Sequence, residues 1–571
     1  MGKIFRRTLT ALLIVIFALS AAIVGAKIQM YTATGEDYAN EVESQDIAKL
    51  RARDKAIKKA TKQAGVYLKT YSRSVNSELT DDEVTAITSN AWQLVGEPKY
   101  SSKIVKGSDE TSIIIWTATV EVNVDDSEIQ SWIKRDDKDK STIITQTQEA
   151  QKSAEENDRK IEDLREKYNR ATSQAEKDSL RKQMNDSDRD FLANQKLEEG
   201  NKLYYAKDYY GAIKLYREVI KIKPDWSFPY NNRGVAYNDL EQYERAIADY
   251  DKAIQLNPNL AEAYNNRGVA YNKLGQYEQA FNDYNRAIEL NPNYASAHNN
   301  RGNAYSLLKQ NERAIQDYNK AIELNPNYAN VYYNRGIAYS DLGQKERAIQ
   351  DYSKAIELNP NFASAYNNRG NAYYYLGQYE NAIADYSKAI ELNPNHTGAY
   401  RRRAQAYKEL GQYEQAIENY TMSIKIKSDD IFLYEGRGIA YYKVKKYQKA
   451  IADFNKALKL NPEFTAIRAS RGNVYYELKD YKKAIQDYDK YIEKNQTDYR
   501  VYFKRGMSYK NLKQYEMAIQ DFEKVFKLTR YEFSFDKSEL YFNRGFCYQQ
   551  LGDEAKAQAD FAKAKELGYK G

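Results

Sequence analysis

Two histidines and one cysteine in 571 residues leave little material for a metal site or a thiol nucleophile. The side chains that could do chemistry are amides and guanidinium groups. Asparagine recurs every 34 residues at Asn232, Asn266, Asn300, Asn334 and Asn368. A second row stands one residue earlier, at Asn231, Asn265, Asn299 and Asn367, and Asn303 and Asn371 lie three residues beyond the first row. An amide both donates and accepts, so such a row can hold an extended peptide backbone whatever its sequence. The competing reading is a solvated polar face. Asparagine is a poor helix former, and its repetition on one face favours the binding role.

Arginine keeps the same period: Arg233, Arg267, Arg301, Arg335, Arg369, Arg403, Arg437, Arg471, Arg505 and Arg544. Sixteen residues after each stands a carboxylate, from Asp249 to Asp560, or Asn419 after Arg403. The pairing implies an internal bridge rather than an anion-binding ladder. Charge also shifts along the chain. Residues 227–396 hold 16 Lys+Arg against 19 Asp+Glu, and residues 397–532 hold 28 against 18. Candidate binding cations in the later part are Arg401, Arg402, Lys408, Arg468 and Lys504, with Lys443, Arg500 and Lys510 beside them. A basic stretch favours an acidic partner segment through steering. The net charge of +7 on the whole chain is too mild to argue for nucleic acid.

The elements that must position these groups are helices. A 34-residue unit repeats ten times from Ala193 to Glu532 and once more from Ser538 to Gly571, after a five-residue insertion (Phe533 to Lys537). In the unit Ala261 to Tyr294, counted from 1, Gly268 stands at position 8, Tyr271 at 11, Gly275 at 15, Ala280 at 20, Tyr284 at 24 and Pro292 at 32. Small residues at 8 and 20 let two helices approach, apolar residues recur at helical spacing, and Asn291-Pro292-Asn293 stops the second helix. Position 15 follows the first helix, where a C-cap is needed.

The unit resembles the tetratricopeptide repeat (TPR), and the resemblance covers residues 193–571. It implies a mainly α fold, a TPR helical-hairpin superhelix of about eleven repeats, with the first helix of each unit lining a concave groove. Positions 2, 5, 6, 9, 12 and 13 would then face the groove, the asparagines among them. The asparagine rows also resemble the ladder in the repeat region of O-linked N-acetylglucosamine transferases. Repeats that grip a C-terminal carboxylate need Lys and Asn at set places over three units. Only fragments such as Arg401 with Gln405 are present, and that function is not carried over.

Most unusual residues read as scaffold. Of 54 tyrosines, 34 fall at positions 4, 11, 17 and 24, as packing residues. His298 stands for tyrosine at position 4, and Cys547 at position 10 reads as a small buried hydrophobe. In the last unit Glu554, Gln558 and Lys565 replace mostly apolar residues, the polar outer face expected of a terminal repeat, with no catalytic domain beyond it. Phe533-Ser534-Phe535 is either a side contact or a longer turn.

The front of the chain is different. Lys3, Arg6 and Arg7 precede an apolar run from Thr8 to Ala26, giving a signal peptide cut near Lys27 or an uncleaved anchor. Either places the repeats outside the cytoplasmic membrane, secreted, periplasmic or anchored to its outer face. No cysteine lies nearby, which excludes a lipoprotein anchor. Residues 27–135 read as a small α/β domain: a helix from Ser44 to Thr70, a second from Asp81 to Trp92, and a hairpin of Tyr100 to Val105 with Ser112 to Val124 around Gly107-Ser108-Asp109. Gly35-Glu36-Asp37-Tyr38, the helix ending Gln63-Ala64-Gly65-Val66-Tyr67 and the hairpin make it similar to small α/β domains of bacterial envelope lipoproteins and of a flagellar basal-body assembly protein. Residues 136–192 are a charged helical linker. Ile161, Leu164, Tyr168, Ala171 and Ala175 form a short seam, read as a solvated spacer helix or as a dimer contact.

These features favour a non-catalytic scaffold of the cell envelope that binds extended peptide or protein partners and needs no cofactor. The membrane would be touched only through the N-terminal segment, and self-association through the seam stays open. The alternatives are a glycosyltransferase-associated repeat protein, against which the absence of phosphate-loop, metal or nucleophile motifs argues, and a self-assembling structural protein.

Overall fold

The computed structural model describes residues 28–39, 45–74, 92–106, 112–125, 137–529 and 537–569. The expected signal or anchor, residues 81–91 of the expected second helix, the Gly107-Ser108-Asp109 turn and the Phe533-Ser534-Phe535 loop lie outside these residues. The chain forms two compact units, 1–338 and 339–571. Among the described residues no helix is long and apolar enough to cross a membrane.

The first unit opens with a four-stranded antiparallel sheet. Its strands are β1 (Ile28–Ala39), β2 (Trp92–Leu94), β3 (Lys99–Lys106) and β4 (Ser112–Asp125). β4 is central: β1 runs along one edge, with Ile28 opposite Asp125 and Ala39 opposite Ile114, while β2 and β3 share the other edge. The β3–β4 pairing is the expected hairpin. Trp92 opens a strand instead of closing a helix. Helix α1 (Gln45–Ser74) covers one face. Ala48, Ala52, Ala56, Ala60 and Ala64, spaced by four, form its buried stripe. The approach is tight at Gly35, where a Cβ would lie 2.3 Å from the Ala52 carbonyl oxygen, so only glycine fits.

Two helices follow, α2 (Asp137–Arg170) and α3 (Gln174–Tyr205), with Ser173 capping the second through a bond from the Glu176 amide (3.2 Å). They pack on each other. Ile161, Leu164, Ala171 and half-buried Tyr168 close over Leu180 and Met184. The expected seam is therefore used within the chain, and Ala175 is exposed. Buried ion pairs tie these helices to the sheet layer. Both terminal guanidinium nitrogens of Arg165 reach Asp37 of β1 (3.1 and 3.3 Å), and Arg51 of α1 reaches Asp188 of α3 (2.7 Å). Helix α3 runs past residue 192 without a break and serves as the first helix of the first repeat, where Ala193 and Leu197 pack on Ala212, Tyr216 and Val219.

From there each unit is a succession of helical hairpins, such as Ala261–Lys273 with Tyr277–Leu290 in the first unit and Ala363–Tyr375 with Tyr379–Leu392 in the second. Close contact at position 8 holds each hairpin. A Cβ on Gly268 would meet the Tyr284 ring at 2.7 Å, and Tyr284 is fully buried. The turn residue at position 15 is left-handed, as at Gly275 (φ 73°) and Lys445 (φ 60°). The Oδ1 of Asn291 accepts the amide of Asn293 (3.1 Å), an Asx turn that ends the second helix before the proline. Cores are local to a hairpin and its neighbours, as around Tyr250 and around Phe454. In the last hairpin Glu554, Gln558 and Lys565 are exposed, and Tyr569 stacks on Phe542 (4.3 Å).

Candidate binding face

The arginine row is a scaffold, as its pairing implies. Nε and one terminal nitrogen of Arg267 fork onto Asp283 (2.8 and 2.7 Å). The same fork joins Arg233 to Asp249, Arg301 to Asp317, Arg369 to Asp385, Arg437 to Asp453, Arg471 to Asp487, Arg505 to Asp521 and Arg544 to Asp560. Arg403 donates to Asn419 Oδ1 (2.8 Å). Burial pushes the Asp283 carboxyl up against the pull of Arg267. At Asp317 burial also pushes upward, but bonds from Arg301 and His298 outweigh it and hold the carboxyl below its ordinary value. From Arg267 to Arg505 each arginine does more than pair within its repeat. Its remaining nitrogen reaches position 25 of the preceding repeat: Arg267 to Asp251 (2.6 Å), Arg301 to Asn285 (2.6 Å), Arg369 to Ser353 (2.9 Å), Arg437 to Thr421 (3.0 Å). One side chain thus locks its own hairpin and stitches it to the one before.

In the first unit the asparagines meet one another. Asn334 donates to Asn299 (3.1 Å), Asn299 to Asn300 (3.3 Å), Asn300 to Asn265 (2.9 Å), Asn265 to Asn266 (3.3 Å) and Asn266 to Asn231 (3.2 Å). Asn231 donates to Asn232 (3.3 Å), and Asn232 to Asn201 (3.1 Å). This continuous amide zipper crosses from one first helix to the next. The position-5 members Asn231, Asn265 and Asn299 are buried between helices, so they do not line an open groove as expected. Position-6 residues Asn266 and Asn300 are half-buried, and the zipper uses one N–H and the oxygen of each.

Asn303 is drawn away from the row. It accepts the hydroxyl of buried Tyr318 (2.8 Å), as Asn201 does for Tyr216 (2.8 Å). In the second unit Asn371 does the same for Tyr386 (2.9 Å), and Asn367 donates to Asn368 (3.2 Å). There the residue that would continue the zipper is Arg402, which bonds Gln405 instead (3.2 Å), and the buried Asn367 Oδ1 has no partner. Beside the zipper, at position 12 of two first helices, the buried Oδ1 atoms of Asn238 and Asn272 are likewise unpartnered. Positions 5, 9 and 12 share one helical face, which is the signal that could have singled these two out.

The basic candidates are mostly engaged. Arg401 lies 3.5 Å from Asp430, Lys408 3.5 Å from Glu409 and Arg468 3.9 Å from Asp487. The Lys504 ammonium sits over the Tyr476 ring (4.5 Å), Arg500 lies 3.3 Å from Asp498, and Lys510 donates to Asn543 (2.5 Å), where burial lowers its pKa. Lys443 is exposed. Among the described residues no three of His, Cys, Asp and Glu come together in a metal-holding group. Burial raises the Cys547 thiol to about 12, which leaves it a packing residue.

A run of stacked helical hairpins held by position-specific packing and arginine forks is a helical repeat array. The Tetratricopeptide repeat family model matches residues 261–294, 329–362, 363–396 and 432–464, and related TPR models match 236–275, 302–343, 404–445, 283–316, 386–418, 466–497, 499–531 and 538–567. The chain belongs to the tetratricopeptide repeat family. Among solved structures it is similar to MamA (29% identity over 28% of this chain and 94% of that one, TM-score 0.28). YrrB, described as a TPR protein with an unusual peptide-binding site, is 27% identical over 32% and 95% (TM-score 0.27). A TPR protein from Parabacteroides merdae ATCC 43184 is 22% identical over 42% and 94% (TM-score 0.33).

Proposed function

We propose that this chain is a non-catalytic interaction scaffold that holds an extended peptide segment of a protein partner along its first helices. The observation that carries this reading is the pair of unpartnered amide oxygens at Asn238 and Asn272, one repeat apart and beside the half-used amides of Asn266 and Asn300. A buried acceptor without a donor costs stability, and turning the Asn238 and Asn272 side chains outward would let backbone N–H groups of an extended ligand complete them. The position-6 N–H groups left over by the zipper would meet the ligand's carbonyls. In the second unit Arg401, Arg402, Lys408 and Lys504 lean the face towards an acidic segment. The basic flank and apolar run of residues 1–26 support an address at the outer side of a bacterial cytoplasmic membrane.

The test places a photo-crosslinking side chain at Asn238 or Asn272 of the full chain in its own cells, with Gln255 on a second helix as the control. Protein adducts at the first two positions and few at Gln255 are expected. Equal labelling at all three would remove the first helices as the binding face.

A further inference from the structure

Two adjacent repeats of the second unit break the array's usual hairpin turn. Position 18, in the first turn of the second helix, is glutamate in seven repeats, as at Glu278, Glu380 and Glu414. A carboxylate there complements the positive end of the helix. In the repeats beginning at Ile431 and Thr465 it is Gln448 and Lys482, and helices Tyr447–Leu460 and Tyr481–Ile492 have no acidic residue in their first turns. Position 16 of the first of these is Lys446, an N-cap with no side-chain bond, where Asp480 in the next repeat accepts the Lys483 amide. Lys445 and Lys479 hold left-handed backbone that glycine fills at Gly377 and Gly411.

Asp480 apart, the changes at positions 16 and 18 make the two turns more positive, and lysine at position 15, found also at Lys207, Lys309 and Lys513, adds to them. Lys443, Lys445, Lys446 and Lys449 of one turn, with Lys479, Lys482 and Lys483 of the next, are exposed, and only Glu477 and Asp480 oppose them. One repeat earlier residues 409–415 carry Glu409 and Glu414 and no lysine or arginine, and the nearest cation, Lys408, is paired with Glu409 (3.5 Å). Cations crowded at a helix N-terminus weaken that helix, so local stability does not explain them.

We propose that this lysine edge docks on a membrane surface rich in anionic phospholipid. The choice of cation decides between anionic partners. The buried carboxylates of the same repeats are held by arginine forks, Arg437 on Asp453 and Arg471 on Asp487, while lysine meets only exposed or half-buried ones, as Lys483 meets Asp480 (2.8 Å). The edge holds only lysine, a point charge on a flexible stem, which suits laterally mobile phosphodiesters better than the fixed geometry of an acidic peptide. Lys443, at the end of a first helix, apart, the edge lies on the hairpin turns and the starts of the second helices, and the three substitutions that test it leave the first helices untouched.

The test gives three positions the residue types found there in other repeats: Lys446→Asp, Gln448→Glu and Lys482→Glu, combined in the full chain. Co-sedimentation is measured with vesicles of phosphatidylcholine alone and of an equimolar mixture with phosphatidylglycerol. The difference between the two vesicles isolates the charge-dependent part from any insertion by the N-terminal segment. The wild type should gain binding on the anionic vesicles and lose the gain in high salt. The triple variant should bind them about tenfold or more weakly, with a melting midpoint no lower than wild type. No gain in the wild type, or an equal gain in the variant, would overturn the proposal. So would retention of a polyglutamate peptide without anionic-vesicle binding, which would assign the edge to an acidic protein.

Discussion

Tyr284 and Tyr318 occupy the same buried place in successive repeats, yet their hydroxyls fare differently. Tyr318 donates to Asn303, whereas the Tyr284 hydroxyl is buried without a partner because position 9 of its repeat is Val269. Val269→Asn should supply the missing acceptor and raise stability by about 0.5–1 kcal/mol in urea unfolding; a loss would mean that the valine's packing outweighs the bond. The arginine fork makes the opposite case. Asp317→Ala strips the carboxylate from Arg301 and His298 and should cost about 2–3 kcal/mol, discounted for the partly exposed guanidinium. Replacing the pair together, Arg301→Met with Asp317→Leu, should cost less than the single change. A single variant that melts normally but loses its ligand would turn the fork into a binding site.

Among the elements, the first helices carry two kinds of asparagine that the sequence lists alike. Asn265 is fully buried and both donates and accepts in the zipper, whereas Asn272 has an unused oxygen. Asn265→Ala should therefore lower stability by about 1–3 kcal/mol, read by urea unfolding, while Asn272→Ala should leave it nearly unchanged and weaken partner crosslinking. The reverse ranking would place the binding function in the zipper itself. The helices, their stops and the Arg–Asp register were legible because each rests on residues at fixed spacing within one repeat. The zipper was not, since its bonds run from position 6 of one repeat to position 5 of the one before, a distance that depends on how closely successive hairpins stack. The seam at Ile161 was legible as an apolar stripe, but spacing alone could not say that Leu180 and Met184 of the same chain would cover it.

At the scale of the molecule, the front of the first unit is held by charges taken out of water. Arg165 and Asp37 are each almost fully buried, as is Arg51 against Asp188. Asp37→Ala takes the carboxylate away from both Arg165 and Lys55 and should cost the sheet layer about 3–5 kcal/mol of local stability. Amide exchange should then accelerate in β1, β4, α2 and α3, while protection at residues 339–571 stays as it was, because a repeat array passes stability only between neighbours. Faster exchange throughout would show one cooperative block instead. The sequence by itself determined the hairpin, its 34-residue register, the helix stops and the arginine pairing, because those contacts are local and recur with the period. Tertiary structure alone decided which amides are used and which are buried without a partner, where the seam is covered, and that Asp37 of β1 meets Arg165. Those outcomes depend on contacts between segments far apart in the chain, and burial there settles whether a polar group has a partner.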